Sequence, residues 1–163
     1  RRTDRSVLPL TEMVQDLARE VSVRYPNVEV SRHVVEDCRI LGDEIGTRAV
    51  IQNLVDNACK SVKAAGHGDV SVNLKLEGHH AVLRVADGGL GFPKGEGERI
   101  FQRFYRVGSE MTRKTKGSGL GLYIARAAVQ SDGGKLTADS AGPGKGAIFT
   151  ARWPLHVSKE KSA

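Results

Sequence analysis

The feature that most constrains this chain is an asparagine-striped helix followed by two glycine-rich loops. The helix carries Asn53, Asn57 and Lys60, the first loop is Asp87-Gly88-Gly89-Leu90-Gly91, and the second is Gly117-Ser118-Gly119-Leu120-Gly121-Leu122. Between the loops lies Ile100-Phe101-Gln102-Arg103-Phe104-Tyr105-Arg106. Taken singly, each piece has a plain explanation: a solvated helix face, a turn after a strand, a flexible loop. In this order and within about 70 residues, they specify a site for a nucleotide and a hard cation.

Helical spacing brings the polar stripe together. At 100° per residue Asn57 is offset from Asn53 by about 40°, and Lys60 by about −20°. The apolar residues Val50, Leu54, Ala58 and Val62 run alongside and can pack on a sheet. Two amide oxygens one turn apart can ligate a hard cation without adding negative charge near phosphates. Lys60 supplies a point charge for phosphate.

The loops add complementary chemistry. Asp87 closes an apolar strand, and a carboxylate there can accept a hydrogen bond from an exocyclic amine. Gly89 and Gly91 let the backbone bend and let a flat ring approach. The second loop runs straight into a helix, and backbone N–H groups at a helix start make a phosphate cradle. A dinucleotide-binding fold is the competing reading. It fails on context, because Lys114-Thr115-Lys116, not an apolar strand, precedes the loop. A Walker loop is excluded because the Gly-Lys-Ser/Thr ending is missing.

Periodicity predicts the frame. Thr11 is placed to cap a first helix with the stripe Val14, Leu17, Ala18 and Val21, which Pro26-Asn27 breaks. Residues 28–34 alternate like a strand, and Cys38–Leu41 is a short extended piece. Asp43 reads as the N-cap of a second helix running to about Ala65, ended by Gly66. Strands follow over Val70–Leu76, with one buried face, and over Ala81–Ala86, apolar enough to be central. A short helical piece is expected near Glu98–Tyr105, then a mobile loop over 107–116. A third helix, with Leu120, Ile124, Ala127 and Ala128 as its apolar face, stops at Gly133-Gly134. A last hairpin pairs Leu136–Ser140 with Ala147–Trp153. The fold class expected is α+β: a two-layer α/β sandwich of one mixed, mostly antiparallel sheet with helices on one face.

Bulk properties leave room for one domain of 163 residues, with a core from about 8 to 155 and a frayed polar tail over 156–163. The chain opens Arg1-Arg2-Thr3-Asp4 without a Met, so the expectation is a piece of something longer. No signal peptide is visible and no run nears the roughly 20 apolar residues that span a bilayer. Net charge is +6, with Arg99, Arg103, Arg106, Arg113, Lys114 and Lys116 clustered around the second loop. That clustering suits a polyphosphate better than nucleic acid, and no aromatic-rich strand is present to stack bases. Cys38 and Cys59 are too few for a disulfide framework and read as small buried hydrophobes.

These residues resemble a known family. Asn53–Lys60 looks like the N box, Asp87–Gly91 the G1 box, Phe101–Arg106 the F box and Gly117–Leu122 the G2 box of the catalytic and ATP-binding domain of bacterial sensor histidine kinases. Gly144–Phe149 fits a late glycine element. The resemblance runs from about Leu8 to Leu155. It implies a Bergerat-type sandwich of the wider group that includes gyrase, MutL and chaperone ATPases. It implies ATP between the asparagine helix and the loop before the third helix, with residues 107–116 as the lid. Asp87 would bind the adenine amino group, with Gly89 and Gly91 beside it. Asn53 and Asn57 would hold Mg²⁺. Lys60 and Arg106 would contact phosphates, Arg106 near the γ group. Tyr105, Lys116, Gly117, Ser118, Gly119, Leu120, Gly121 and Leu122 would complete the nucleotide site. Asn53, Asn57 and Arg106 would carry catalysis.

The resemblance also implies what lies elsewhere. The hydrolytic members place a Glu, a base for water, at the position of Asn53, which cannot take a proton at neutral pH. The five histidines, His33, His67, His79, His80 and His156, lack the acidic and proline context of a phosphoacceptor. The acceptor would therefore sit on a separate dimerisation domain, with a response regulator receiving the phosphoryl group next. Neither nucleic acid nor direct membrane contact is expected, and the domain would be cytoplasmic. Two positions depart from the pattern. Ser61 stands where many members carry an aromatic against adenine, and Gly88 where Asn, Asp or Thr is common. The expectation is weaker adenine binding, by about 1 kcal/mol for one lost aromatic contact. The rival readings are a nucleotide sensor without turnover, and a relative that phosphorylates serine or hydrolyses ATP.

Overall fold

A computed structural model describes residues 4–102 and 120–157. The elements in chain order are β1 (Arg5–Pro9), α1 (Leu10–Val23), β2 (Val30–Val34), β3 (Arg39–Asp43), α2 (Glu44–Ala65), β4 (Val70–Glu77) and β5 (His80–Asp87). A single 3₁₀ turn (Arg99–Phe101), α3 (Gly121–Ser131), β6 (Lys135–Asp139) and β7 (Ala147–Pro154) follow. Five strands form one mixed sheet in the order β2-β4-β5-β7-β6. Only β2 and β4 pair in parallel; the other three ladders are antiparallel. The expected α/β sandwich is therefore present. The apolar β5 is the central strand, as its composition suggested.

Register explains the two faces. Val72, Val85 and Phe149 lie side by side across the sheet, as do Leu74, Leu83 and Ala151. Together with Trp153 and Leu136 they are buried against the helices. On the opposite face Arg84 pairs with Glu77 at 2.6 Å, and Arg152 lies 3.6 Å from the same carboxylate. This is the alternation of an antiparallel sheet with one covered side. Phe101 closes the core edge-on to Phe149 at 6.1 Å between ring centroids. The Arg126 guanidinium lies 4.9 Å from the Phe101 ring centroid. Cys38 and Cys59 are buried free thiols, and burial pushes both pKa values up to about 11, so neither is a reactive thiolate at neutral pH.

α2 is the central helix. Asp43 caps it, its Oδ2 accepting from the Gly46 N–H at 2.8 Å, and Gly66 ends it in the left-handed conformation at φ 79°. Val50, Leu54, Ala58 and Val62 are buried as expected, joined by Ile51, Val55 and Cys59.

Three sequence expectations change. Thr11 does not cap α1: the helix starts one residue earlier, after Pro9. The Cys38 carbonyl accepts from the Leu10 and Thr11 amides and fills the capping role. The Thr11 hydroxyl instead donates to the Val35 carbonyl and accepts from the Cys38 N–H, both at 2.8 Å. In α3 the buried residues are Ala125 and Val129, while Ile124 is 47% exposed and Ala127 lies at the surface. The helix is rotated because small residues let it settle closely on α2. Finally, β1 was not foreseen. It pairs antiparallel with β3 in a separate two-stranded sheet and buries only Leu8, so it shows no alternation to read. The segment after β7 joins this sheet, since the His156 N–H donates to the Arg39 carbonyl at 2.9 Å. Among the described residues no helix is long and apolar enough to cross a membrane.

One buried carboxylate ties these parts together. Asp132, just past α3, is 4% exposed. Its Oδ2 accepts from the Asp43 N–H at 3.3 Å and lies 3.5 Å from the Thr47 hydroxyl; Arg5 Nε is 3.6 Å from Oδ1. Asp132→Ala strips the acceptor from two buried donors. We expect a loss of about 1–3 kcal/mol in urea unfolding, with Asp132→Asn, which keeps an acceptor oxygen, losing clearly less. Equal losses for both variants would contradict this role.

Candidate nucleotide site

Asp87 ends β5 where the sheet meets α2. Its side chain is buried, and Oδ1 accepts from the Gly89 N–H at 2.9 Å and from the Ser61 hydroxyl at 3.3 Å. Oδ2 is buried too, yet accepts no hydrogen bond among the described residues. A buried carboxylate oxygen without a donor is costly. It fits a ligand that brings its own N–H. Burial pushes the Asp87 pKa up, while the Gly89 N–H, the Ser61 hydroxyl and the Ala147 N–H pull it back.

Ser61 also accepts from the Leu90 N–H at 2.8 Å. One hydroxyl thus links α2 to both the loop and its carboxylate. The loop lies so close to α2 that a Cβ on Gly89 would sit 2.5 Å from the Ser61 carbonyl carbon and Oγ. Gly91 is in the left-handed region at φ 64°, and a Cβ there would sit 2.5 Å from the Gly142 carbonyl oxygen. The β6–β7 turn holds the loop from the other side. The Gly144 N–H donates to the Leu90 carbonyl at 2.6 Å, the Gly146 N–H donates to the Gly89 carbonyl at 3.2 Å, and Ser140 Oγ accepts from the Phe92 N–H at 3.1 Å. The expected late glycine element therefore braces the first loop.

The other end of the site lies two turns back along α2. Asn53 is half-buried beside the start of α3, so near that a Cβ on Gly121 would be 3.1 Å from Asn53 Oδ1. α3 has no acid in its first turn, so its positive N-terminal end carries no counter-charge within the helix itself. Leu120 is its N-cap residue, and Gly121 and Leu122 begin it, half-buried. Asn57 and Lys60 follow on the same edge of α2, both half-buried. Lys60 Nζ pairs with Asp56 Oδ2 at 3.1 Å, and the Tyr25 hydroxyl donates to Asp56 Oδ1 at 2.6 Å. From Asn53 to Ser61 the helix advances about 12 Å, so α2 sets the spacing between the Asn53 amide and the Asp87 carboxylate that Ser61 holds. The chemistry of this donor set fits Mg²⁺ on phosphates: neutral amide oxygens next to a helix N-terminus.

The structure thus brings Asn53 to Gly121 and Asp87 to Gly89, with Gly91 locked nearby. The expected site residues Tyr105, Arg106, Lys116, Gly117, Ser118 and Gly119 lie outside the described residues. Sequence reasoning missed what Ser61 does. Its partners are 26 and 29 residues away on another element, and no spacing rule links them.

The family described as histidine kinase-, DNA gyrase B- and HSP90-like ATPase, HATPase_c, matches residues 42–157. The sensor histidine kinase WalK of Bacillus subtilis is 37% identical over 135 residues, which cover 82% of this chain and 22% of WalK. The chain spans less than a third of the length of the curated relatives it matches. Among solved structures, the mycobacterial sensor histidine kinase MprB superposes with a TM-score of 0.80 at 30% identity, covering 95% of this chain and 100% of that one. The ATP-binding domain of PrrB from Mycobacterium tuberculosis gives 0.73 at 25% identity, with coverage of 94% and 99%.

The raised pKa of Asp87 has a sign that can be measured. The folded carboxyl titrates above the 3.8 of a free aspartate. Between those values the folded chain holds more protons than the unfolded one, so stability falls as pH rises through that window and stays reduced at neutral pH. In thermal melts without nucleotide, Asp87→Asn is expected to match or exceed the wild-type midpoint at pH 7 and to lose this part of the acid slope. A midpoint several degrees below wild type would mean that the charge stabilises the fold.

Proposed function

Because the chain belongs to the histidine kinase-, DNA gyrase B- and HSP90-like ATPase family, we propose that it is the ATP-binding catalytic domain of a sensor histidine kinase. It holds ATP and directs the γ-phosphoryl group to a histidine on a dimerisation domain of the same parent protein, from which a response regulator receives it. The observation that carries this reading is the pairing of Asp87 Oδ2, unmatched among the described residues, with the close approach of Gly121 to Asn53, which lies about 12 Å along α2 from Ser61 beside Asp87. The first takes the adenine amino group, and the second takes the phosphate end.

Asn53 and Asn57 would hold Mg²⁺, which neutralises phosphate charge when bound. The start of α3 turns its N–H groups toward the phosphates. Lys60 is close enough to this edge to exchange Asp56 for a phosphate oxygen. Arg106 is assigned to the γ group by resemblance alone. Positioning and charge stabilisation suffice for phosphoryl transfer, which needs little covalent chemistry from the protein. The acceptor nitrogen forms the new N–P bond as the bond from phosphorus to the ADP oxygen breaks. Asn53 is no base for water, so the domain keeps ATP until the acceptor arrives. Ile124, 47% exposed on the first turn of α3, offers apolar surface for the domain that brings the histidine.

With labelled ATP and Mg²⁺ the isolated chain is expected to bind nucleotide, to release phosphate slowly and to take up no label. Adding the parent's dimerisation domain should place label on that domain. Asn57→Ala should cut transfer at least 100-fold by removing a metal ligand. Stable label on the chain alone would overturn the division of labour, and rapid phosphate release would favour a hydrolase.

A further inference from the structure

We propose that Ser61 is a specificity-determining positioning residue: its hydroxyl holds the Asp87 carboxylate so that the base site presents a lone acceptor and selects a purine with an amino group at C6 over one with a keto oxygen at that position. The proposal rests on the reading of Asp87 as the base-binding group.

The geometry is a one-way chain of donors. The Leu90 N–H donates to Ser61 Oγ at 2.8 Å, which leaves the hydroxyl proton to point at Asp87 Oδ1, 3.3 Å away. The Gly89 N–H donates to the same oxygen at 2.9 Å. Two donors therefore converge on Oδ1, and Oδ2 is left buried and unmatched. A carboxylate held this way cannot turn its satisfied oxygen into the pocket. An exocyclic N–H matches Oδ2; a keto oxygen faces it acceptor to acceptor.

The protonated acid would invert that preference, because its O–H can donate to a keto group. Burial drives Asp87 toward the neutral form, and Ser61 is one of the donors that oppose it. The groups that face the carboxylate are the Gly89 N–H on its own loop, the Ala147 N–H from β7, and Ser61 from α2. Cys59, also on α2, interacts with it, but its thiol is pushed up to about 11 and stays neutral in the range of interest. Among the described side chains, Ser61, after the Gly89 N–H, opposes the upward push of burial on Asp87.

The experiment is calorimetric titration of the whole chain with Mg·ADP and Mg·GDP from pH 5 to 8, for wild type, Ser61→Ala, Ser61→Thr and Asp87→Asn, with a thermal melt of each. Ser61→Ala is expected to weaken ADP binding about tenfold, the size of one hydrogen bond to a charged group. It should narrow the preference for ADP over GDP, and shift the acid loss of ADP binding to higher pH. Ser61→Thr, which keeps the hydroxyl, should recover the preference and the pH profile. Three results overturn the role: wild-type affinity and profile in Ser61→Ala; an affinity loss with preference and profile unmoved; or an equal loss in Ser61→Thr. Asp87→Asn separates this from the reading beneath it. If that variant still folds and binds ADP as wild type does, Asp87 does not hold the base and both fall. If it abolishes ADP binding while Ser61→Ala is silent, only the Ser61 role falls.

Discussion

The seating of α2 against the loop after β5 governs this structure. The backbone of Gly89 rests on Ser61 with no room for a methyl group between them, and the Ser61 hydroxyl bonds both to the loop and to its carboxylate. With that contact made, the position of Asp87 relative to every other residue on α2 is set by helix geometry. Asn53, Asn57 and Lys60 then fall at known distances from the base end. Interiors pack too densely for the helix to slide without breaking many contacts, so the helix acts as a fixed spacer.

A second tie holds the far end. Asp132 binds the Asp43 amide at the start of α2 and approaches Arg5 on β1. α2 and α3 therefore run antiparallel, joined at Asp132 on one side and at Asn53–Gly121 on the other. Both buried carboxylates, Asp87 and Asp132, have raised pKa values, with burial the largest cause. Each places a charge where desolvation opposes it. Asp132 uses Oδ2 to hold the frame, and Asp87 keeps Oδ2 unmatched among the described residues, which suits a ligand that brings an N–H.

The parts legible in the sequence were those with local causes. α2 announced itself by an aspartate cap, an apolar stripe and a terminal glycine, and all three stand in the structure. β4 alternated and β5 did not, which separated a half-covered strand from the sheet centre. The parts that were not legible depend on distant partners. Thr11 carried a capping signal, yet the Cys38 carbonyl, 27 residues later, took the helix amides. Ile124 looked like a core residue, but α3 presents Ala125 and Val129 inward, with Ala128 packed close to Gly46 of α2. Ser61 read as the loss of an aromatic; its hydroxyl bonds became visible only once the loop was placed against the helix.

The central claim is that one nucleotide spans the two ends of α2. Backbone and asparagine side-chain NMR of the labelled chain tests it most directly, with ADP added first and Mg²⁺ with a non-hydrolysable ATP analogue second. The account predicts that ADP alone moves the Gly89 and Leu90 amides, and that the Asn53 side chain and the Gly121 amide respond fully only when Mg²⁺ and the third phosphate are present. Simultaneous movement of both ends without metal, or perturbation confined to the open face of the sheet, would contradict it.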